Sequence, residues 1–248
     1  MKEIALQLSQ QFAQTSIEET LTFLNKQYKG NIAFSTSFGQ EDQVISHYIF
    51  NSNLDIKVFT LDTGRLFEET YKVFEKTIQK YNKSIICYYP QKDLVEKMMS
   101  EKGPFSFYES VENRKECCNI RKVLPLKRAL KDVKVWITGL RASQSDARKD
   151  LDLFQYDESF DLIKYNPLLY WSLEETMEFI KNNDIPYNKL FDQGFVSIGC
   201  QPCTRAIKPG EDFRAGRWWW EDNSKKECGL HAPEQLNTNL TINTKKIN

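Results

Sequence analysis

Short apolar runs along this chain alternate with longer stretches in which apolar residues recur every three or four positions. The runs predict strands and the helical recurrences predict helices. Residues 1–30 read as helical, with Leu and Phe at helical spacing from Ile17 to Tyr28. Residues 31–38 read as a buried strand entering a Ser/Gly turn, and 41–50 as a helix. A second strand is predicted at 55–60, a helix at 67–81 and a third strand at 84–89. Residues 119–131 are strongly helical in pattern, 133–138 a fourth strand and 161–165 a fifth. A helix over 173–182 follows Ser172, a residue type that caps helix N-termini. Strands alternating with helices predict an α/β fold with a parallel sheet covered on both faces. Ligands in such sheets bind beyond the carboxyl ends of the strands.

The chain has 248 residues, with 34 Lys plus Arg against 34 Asp plus Glu. A zero balance argues against a broad grip on nucleic acid or on an anionic membrane, while leaving room for a local basic pocket. Residues 1–24 are charged and polar throughout, without the apolar core of a signal peptide. No apolar run reaches membrane-spanning length. These features predict a cytoplasmic protein whose thiols stay reduced. Residues 208–231 are rich in Gly, Trp and charge, and 235–248 is an Asn/Thr/Lys-rich stretch that reads as a disordered tail. The predicted organisation is a helical segment at 1–30, an α/β domain at 31–207, a C-terminal segment at 208–234 and the tail.

Five of the six cysteines fall in tight placements: Cys117–Cys118, Cys200-Gln201-Pro202-Cys203, and Cys228. The two pairs together make a four-sulfur set, which suits zinc or an iron–sulfur cluster; spacing does not choose between them. Two adjacent cysteines point in different directions, so sharing one centre demands unusual backbone geometry. With a helix through them, Arg121 and Lys122 lie one turn on from Cys117 and Cys118. Cys228 stands apart beside Lys225, Lys226 and His231, where cations favour the nucleophilic thiolate. Cys87, in an apolar strand, reads as buried. Only two histidines exist, which excludes multi-histidine metal sites; His47 falls on a core-facing helix.

Three further stretches bear on ligand binding. Ser35-Thr36-Ser37-Phe38-Gly39-Gln40-Glu41-Asp42 runs from strand through a hydroxyl-rich turn into a helix, and free N–H groups at such a helix start favour an anion. Ser35 or Ser37 is the expected cap, and no Gly-Lys-Ser/Thr follows to make a Walker A loop. Leu61-Asp62-Thr63-Gly64-Arg65 ends the second strand, where backbone groups can read a base edge. Arg214-Ala215-Gly216-Arg217-Trp218-Trp219-Trp220-Glu221 offers two guanidiniums for a phosphate or sulfate and three indoles that cannot all face one way.

Together these residues resemble the assimilatory sulfonucleotide reductases, specifically the [4Fe–4S] thioredoxin-dependent adenylyl-sulfate reductases. The resemblance spans roughly residues 30–231 and rests on Ser35 to Asp42, Leu61 to Leu66, the double-cysteine motif through Lys122, Thr138-Gly139-Leu140-Arg141 with Gln144, Ser145 and Arg148, Cys200 to Arg205, Gly216 to Glu221, and Glu227-Cys228-Gly229-Leu230-His231. It implies an adenine-nucleotide α-hydrolase-like (PP-loop-like) fold with a flexible C-terminal catalytic tail. It implies a [4Fe–4S] cluster on Cys117, Cys118, Cys200 and Cys203. It implies a substrate site built from Ser35, Ser37, Gly39, Glu41, Leu61, Asp62, Thr63, Arg141, Arg214 and Arg217. Cys228 would be the nucleophile, supported by Lys122, Arg214, Arg217 and His231, with Lys122 between cluster and substrate. The implied reaction takes adenosine 5′-phosphosulfate to sulfite and AMP through an S-sulfocysteine, with a thioredoxin- or glutaredoxin-like dithiol as donor. It belongs to assimilatory sulfate reduction and cysteine biosynthesis.

The nearest alternative is the 3′-phosphorylated nucleotide, alone or as a second substrate. An ATP-dependent adenylating or thiolating enzyme would need a fuller glycine-rich loop and no Cys228. A zinc-stabilised binding module would lack a reactive thiol. Oligomeric state is left open, a homo-oligomer being among the readings.

Overall fold

The computed structural model of the protein describes residues 1–144 and 148–221. Chain order is α1 (Lys2–Gln11), α2 (Ile17–Gln27), β1 (Ile32–Ser35), α3 (Gln40–Asn51), β2 (Lys57–Leu61), α4 (Glu68–Tyr81), β3 (Ile86–Tyr88), α5 (Lys92–Lys102), α6 (Val111–Cys118), α7 (Leu124–Ala129), β4 (Val135–Ile137), β5 (Phe154–Asp157), β6 (Leu162–Tyr165) and α8 (Leu173–Asn182).

The strands form one sheet in the order β3-β2-β1-β4-β6-β5. Side chains alternate across it, as the two-residue repeat of a strand requires. Ile32, Phe34, Val58, Val135, Ile137, Ile163 and Tyr165 pack on one face with α2, α3, α4 and α8. Ala33, Phe59, Trp136 and Leu162 pack on the other, against Leu126 and Ala129 of α7. Both faces are therefore dry. Each fully buried Phe, Leu or Ile in these layers contributes roughly 1.5–3 kcal/mol of hydrophobic stabilisation.

The expected wholly parallel sheet is corrected at its edge. β5 runs antiparallel to β6, pairing Phe154 with Tyr165 and Asp157 with Leu162. The connection from Asp157 to Leu162 is too short for a crossover, and only an antiparallel pair can be joined by a tight link. The helix α5 was also absent from the predicted elements. It turns Leu94, Val95, Met98 and Met99 toward the cysteine-bearing cluster. Cys87 is half-buried in the edge strand β3 rather than enclosed. His47 is half-buried, with Nδ1 2.9 Å from the Tyr81 hydroxyl and Nε2 3.0 Å from Asn51.

The helix predicted at 119–131 begins earlier and changes register. α6 ends at Cys118, residues 119–123 form a π-helical turn, and α7 follows with Pro125 in its first turn. A π turn widens the helix and recurs at functional sites. Here it lies directly after the cysteine pair and carries Arg121 and Lys122. Ser172 caps α8 as expected, in a reciprocal capping box with Glu175.

Candidate active site

A cavity of about 260 Å³ opens beyond the carboxyl ends of β1, β2 and β4. Ser35, Ser37, Gly39, Glu41, Leu61 and Thr63 line it, as do Lys122, Arg214 and Arg217 from distant parts of the chain. Gln144 and Arg148 complete one wall. This end of the sheet is where a parallel α/β fold leaves a crevice.

The turn after β1 is built differently from its sequence-based expectation. Gly39, with no side chain to accept from the first-turn N–H groups, occupies the cap position of α3. The Ser37 N–H and hydroxyl both donate to Asp42 Oδ2, each at 2.6 Å. Two donors of the expected anion loop are thus engaged by an internal carboxylate. Burial pushes the Asp42 carboxyl up to about 6, against the pull of the Ser37 hydrogen bonds. Phe38 takes a left-handed φ of +60° and is held there by burial of its ring against Phe74, 4.8 Å away. Gly139, at the end of β4, presses on the same carboxylate. A Cβ there would stand 2.1 Å from Asp42 Oδ1.

Two residues from the expected substrate set do not reach the cavity. Asp62 accepts hydrogen bonds from Gly64 N at 2.8 Å and the Tyr71 hydroxyl at 3.0 Å, closing the turn after β2. Arg141 donates to Glu41 at 2.7 Å and to the Ser143 hydroxyl at 2.7 Å. Arg148, part of the Thr138–Arg148 motif, lines the wall in its stead.

The two cysteine pairs come together. Cys117, Cys118, Cys200 and Cys203 line one small cavity with Arg65, Arg114, Arg121 and Lys122. Lys122 lines both this cavity and the larger one. Thr63 also links the two: it lines the large cavity, and its hydroxyl lies 3.3 Å from Cys200 Sγ. Its carbonyl accepts from Arg121 Nη1 at 2.6 Å. Burial opposes the Cys200 thiolate more than any single neighbour favours it. Lys122, the Thr63 hydroxyl, Arg217 and Arg121 together outweigh that burial and bring the thiol below its ordinary value. Burial, reinforced by Cys200, pushes Cys203 up to about 12. Burial likewise raises Cys117. Among the described residues no group of three His, Cys, Asp or Glu is placed to hold a single metal ion. Four thiols facing one space beside four cations remain a donor set suited to a polynuclear thiolate centre.

The three tryptophans divide as their adjacency demands. Trp218 is fully buried, Trp219 is exposed, and Trp220 packs edge-on against Tyr108 at 4.4 Å. Arg217 lies flat on Gly199, where a Cβ would meet Nη2 at 2.4 Å. Cys228 and His231 lie outside the described residues, as does the tail.

Residues 31–206 match the phosphoadenosine phosphosulfate reductase domain. An adenosine 5′-phosphosulfate reductase of Rhizobium meliloti is 49% identical over 83% of this chain and 78% of its own length. The chain belongs to the adenosine 5′-phosphosulfate reductase family. A Burkholderia cepacia member of the family is 47% identical over 81% of the chain and 80% of its own. Among solved structures, a phosphoadenylyl-sulfate reductase from Candida auris in complex with phosphate superposes with a TM-score of 0.70 at 27% identity. It covers 84% of this chain and 98% of that one. The family's α/β framework is therefore the one described above, with the large cavity at the carboxyl ends of its strands.

Proposed function

We propose that this protein reduces adenosine 5′-phosphosulfate to sulfite and AMP. The observation that carries the reading is the position of Lys122, which borders both the large cavity and the cavity of four cysteines. A family of sulfonucleotide reductases supplies the substrate class, and relatives named for the unphosphorylated nucleotide, at 47–50% identity, favour it over the 3′-phosphorylated one.

The nucleotide occupies the large cavity, with its phosphosulfate toward Lys122, Arg148, Arg214 and Arg217. Preorganised cations there stabilise charge that builds on the departing phosphate. The Cys228 thiolate attacks the sulfonate sulfur. An S–S bond forms, the sulfur–oxygen bond to the phosphate breaks, and AMP leaves with the bonding pair. A dithiol of the thioredoxin or glutaredoxin class then attacks the Cys228 sulfur and releases sulfite. Its second thiol resolves the mixed disulfide, so the dithiol supplies both electrons. Covalent catalysis splits a difficult reduction into two substitutions. Cys228 follows Glu221 by seven residues, a reach of about 24 Å at full extension.

Cys117, Cys118, Cys200 and Cys203 would hold a [4Fe–4S] cluster. When bound, such a cluster would tie the C-terminal end of α6 to the 200–203 turn and add its charge to the field beside Lys122.

The test is intact-protein mass after anaerobic incubation with adenosine 5′-phosphosulfate, or with its 3′-phosphorylated analogue, and no reductant. One sulfonate on Cys228 with stoichiometric AMP supports the reading, and the faster nucleotide identifies the substrate. Cluster-loaded protein that gains no adduct from either nucleotide would reject the covalent route.

A further inference from the structure

A buried ion pair ties the helix before the cysteine pair to the end of the tryptophan segment. Arg114 Nε and Nη2 donate to Glu221 Oε1 and Oε2, both at 2.8 Å. The two side chains are 2% and 6% exposed. Arg114 sits on α6, one turn ahead of Cys117 and Cys118. Glu221 closes the segment that carries Arg214 and Arg217.

Beside the pair stands Trp218, buried and at a left-handed φ of +42°. Such a backbone is unfavourable for a bulky residue and persists only where surroundings hold it. The guanidinium carbons of Arg114, Arg217 and Arg214 lie 4.7, 4.8 and 5.8 Å from its ring centroid. Three cations around one indole repel each other. Glu221 answers the charge of Arg114, and Arg214 and Arg217 line the large cavity. Arg217 Nε is buried without a hydrogen-bond partner, so the orientation of that guanidinium depends on the packing around it: Gly199 on one side, Trp218 on the other.

We propose that Arg114 and Glu221 are positioning residues for anion recognition: their buried pair holds Trp218, and Trp218 aims Arg214 and Arg217 into the cavity. A two-pronged pair suits this work because it sets both the distance and the plane of the guanidinium. Lysine at position 114 supplies charge without that plane. Neither residue lines the large cavity, and Glu221 lines neither cavity. The inference rests on the nucleotide reading of the large cavity.

The experiment is calorimetric titration of AMP into the anaerobically prepared full chain, for the parent, Glu221→Gln, Arg114→Lys and the double variant. Visible absorbance and far-ultraviolet circular dichroism are recorded alongside. Each single change is expected to weaken AMP binding by about tenfold with parental absorbance retained. The double change is expected to be no weaker than either single one, the sign of residues acting as a unit. AMP affinity within about twofold of the parent in both folded single variants overturns the inference. So does loss of absorbance with AMP affinity intact, which would assign the pair to the cysteine centre. Should Glu221→Gln not fold, Arg114→Lys and Glu221→Asp carry the comparison. A parent that binds no AMP rejects the nucleotide reading itself, which separates the two failures.

Discussion

Arg141 Nε donates to Glu41 Oε1 at 2.7 Å, with the arginine side chain 3% exposed. The guanidinium that the family resemblance assigned to the substrate site is therefore answered inside the protein. Removing one partner of a buried pair strands the other charge, which typically costs about 3–5 kcal/mol. Arg141→Ala is expected to lose stability in that range by urea unfolding. It also leaves the Glu41 carboxylate bare at the cavity wall, so AMP affinity should fall. Unchanged AMP binding in folded Arg141→Ala would show that Glu41 does not face the nucleotide.

Gly139 is fixed by closeness to Asp42, since an added Cβ would stand 2.1 Å from Oδ1. The Asp42 carboxylate is held by Ser37 and cannot simply swing away. Gly139→Ala is expected to destabilise by about 1–3 kcal/mol, the usual range for overpacking. It should also disturb the turn after β1. A parental thermal midpoint for this variant would mean that the turn yields freely.

Asp42 provides a pH test. Its carboxyl is raised to about 6 in the folded state from an ordinary 3.8. A raised folded value means the folded state holds the proton more tightly than the unfolded chain. The contribution to stability is then fully present below pH 4 and lost as pH rises through 6. Above that, the ionised group opposes folding by an amount on the order of 3 kcal/mol. Asp42→Asn keeps an acceptor for Ser37 and has no proton to lose. Urea midpoints at pH 5 and pH 8 should show the variant gaining on the parent at the higher pH. Equal pH dependence in both proteins would place the titration elsewhere.

Lys122 and Cys203 separate the two cavities functionally. Lys122→Ala is expected to slow formation of the Cys228 adduct by about a hundredfold, the scale of one lost electrostatic contact at a transition state. Visible absorbance of the purified protein should persist. Cys203→Ser is expected to lose that absorbance and activity together. Retained absorbance in Cys203→Ser would remove it from the ligand set.

Much of this was legible along the chain because it depends on near neighbours. Apolar periodicity marked all five parallel strands, β6 being the last of them. Ser172 announced its capping box three residues ahead of Glu175. The cysteine pairs, the hydroxyl-rich turn and the arginine–tryptophan segment were visible as local patterns, and their order along the chain carried the family resemblance. α5 escaped because its apolar stripe of Leu94, Val95, Met98 and Met99 is short and set among charges. β5 escaped because an edge strand half open to solvent has a weak pattern.

What the sequence determined by itself was the alternation of strands and helices, the cap of α8 and the chemical types present at each motif. These follow from side-chain periodicity and from hydrogen bonds spanning three or four residues. Only the tertiary structure decided which groups meet. It set Cys117 and Cys118 facing Cys200 and Cys203, gave Lys122 a place in two cavities, spent the charge of Arg141 on Glu41, turned Asp62 into its own loop and joined Arg114 to Glu221. Each of these pairs lies far apart in sequence or depends on the direction of a side chain. Proximity of that kind is produced by packing two layers of helices on one sheet, and no local pattern encodes it.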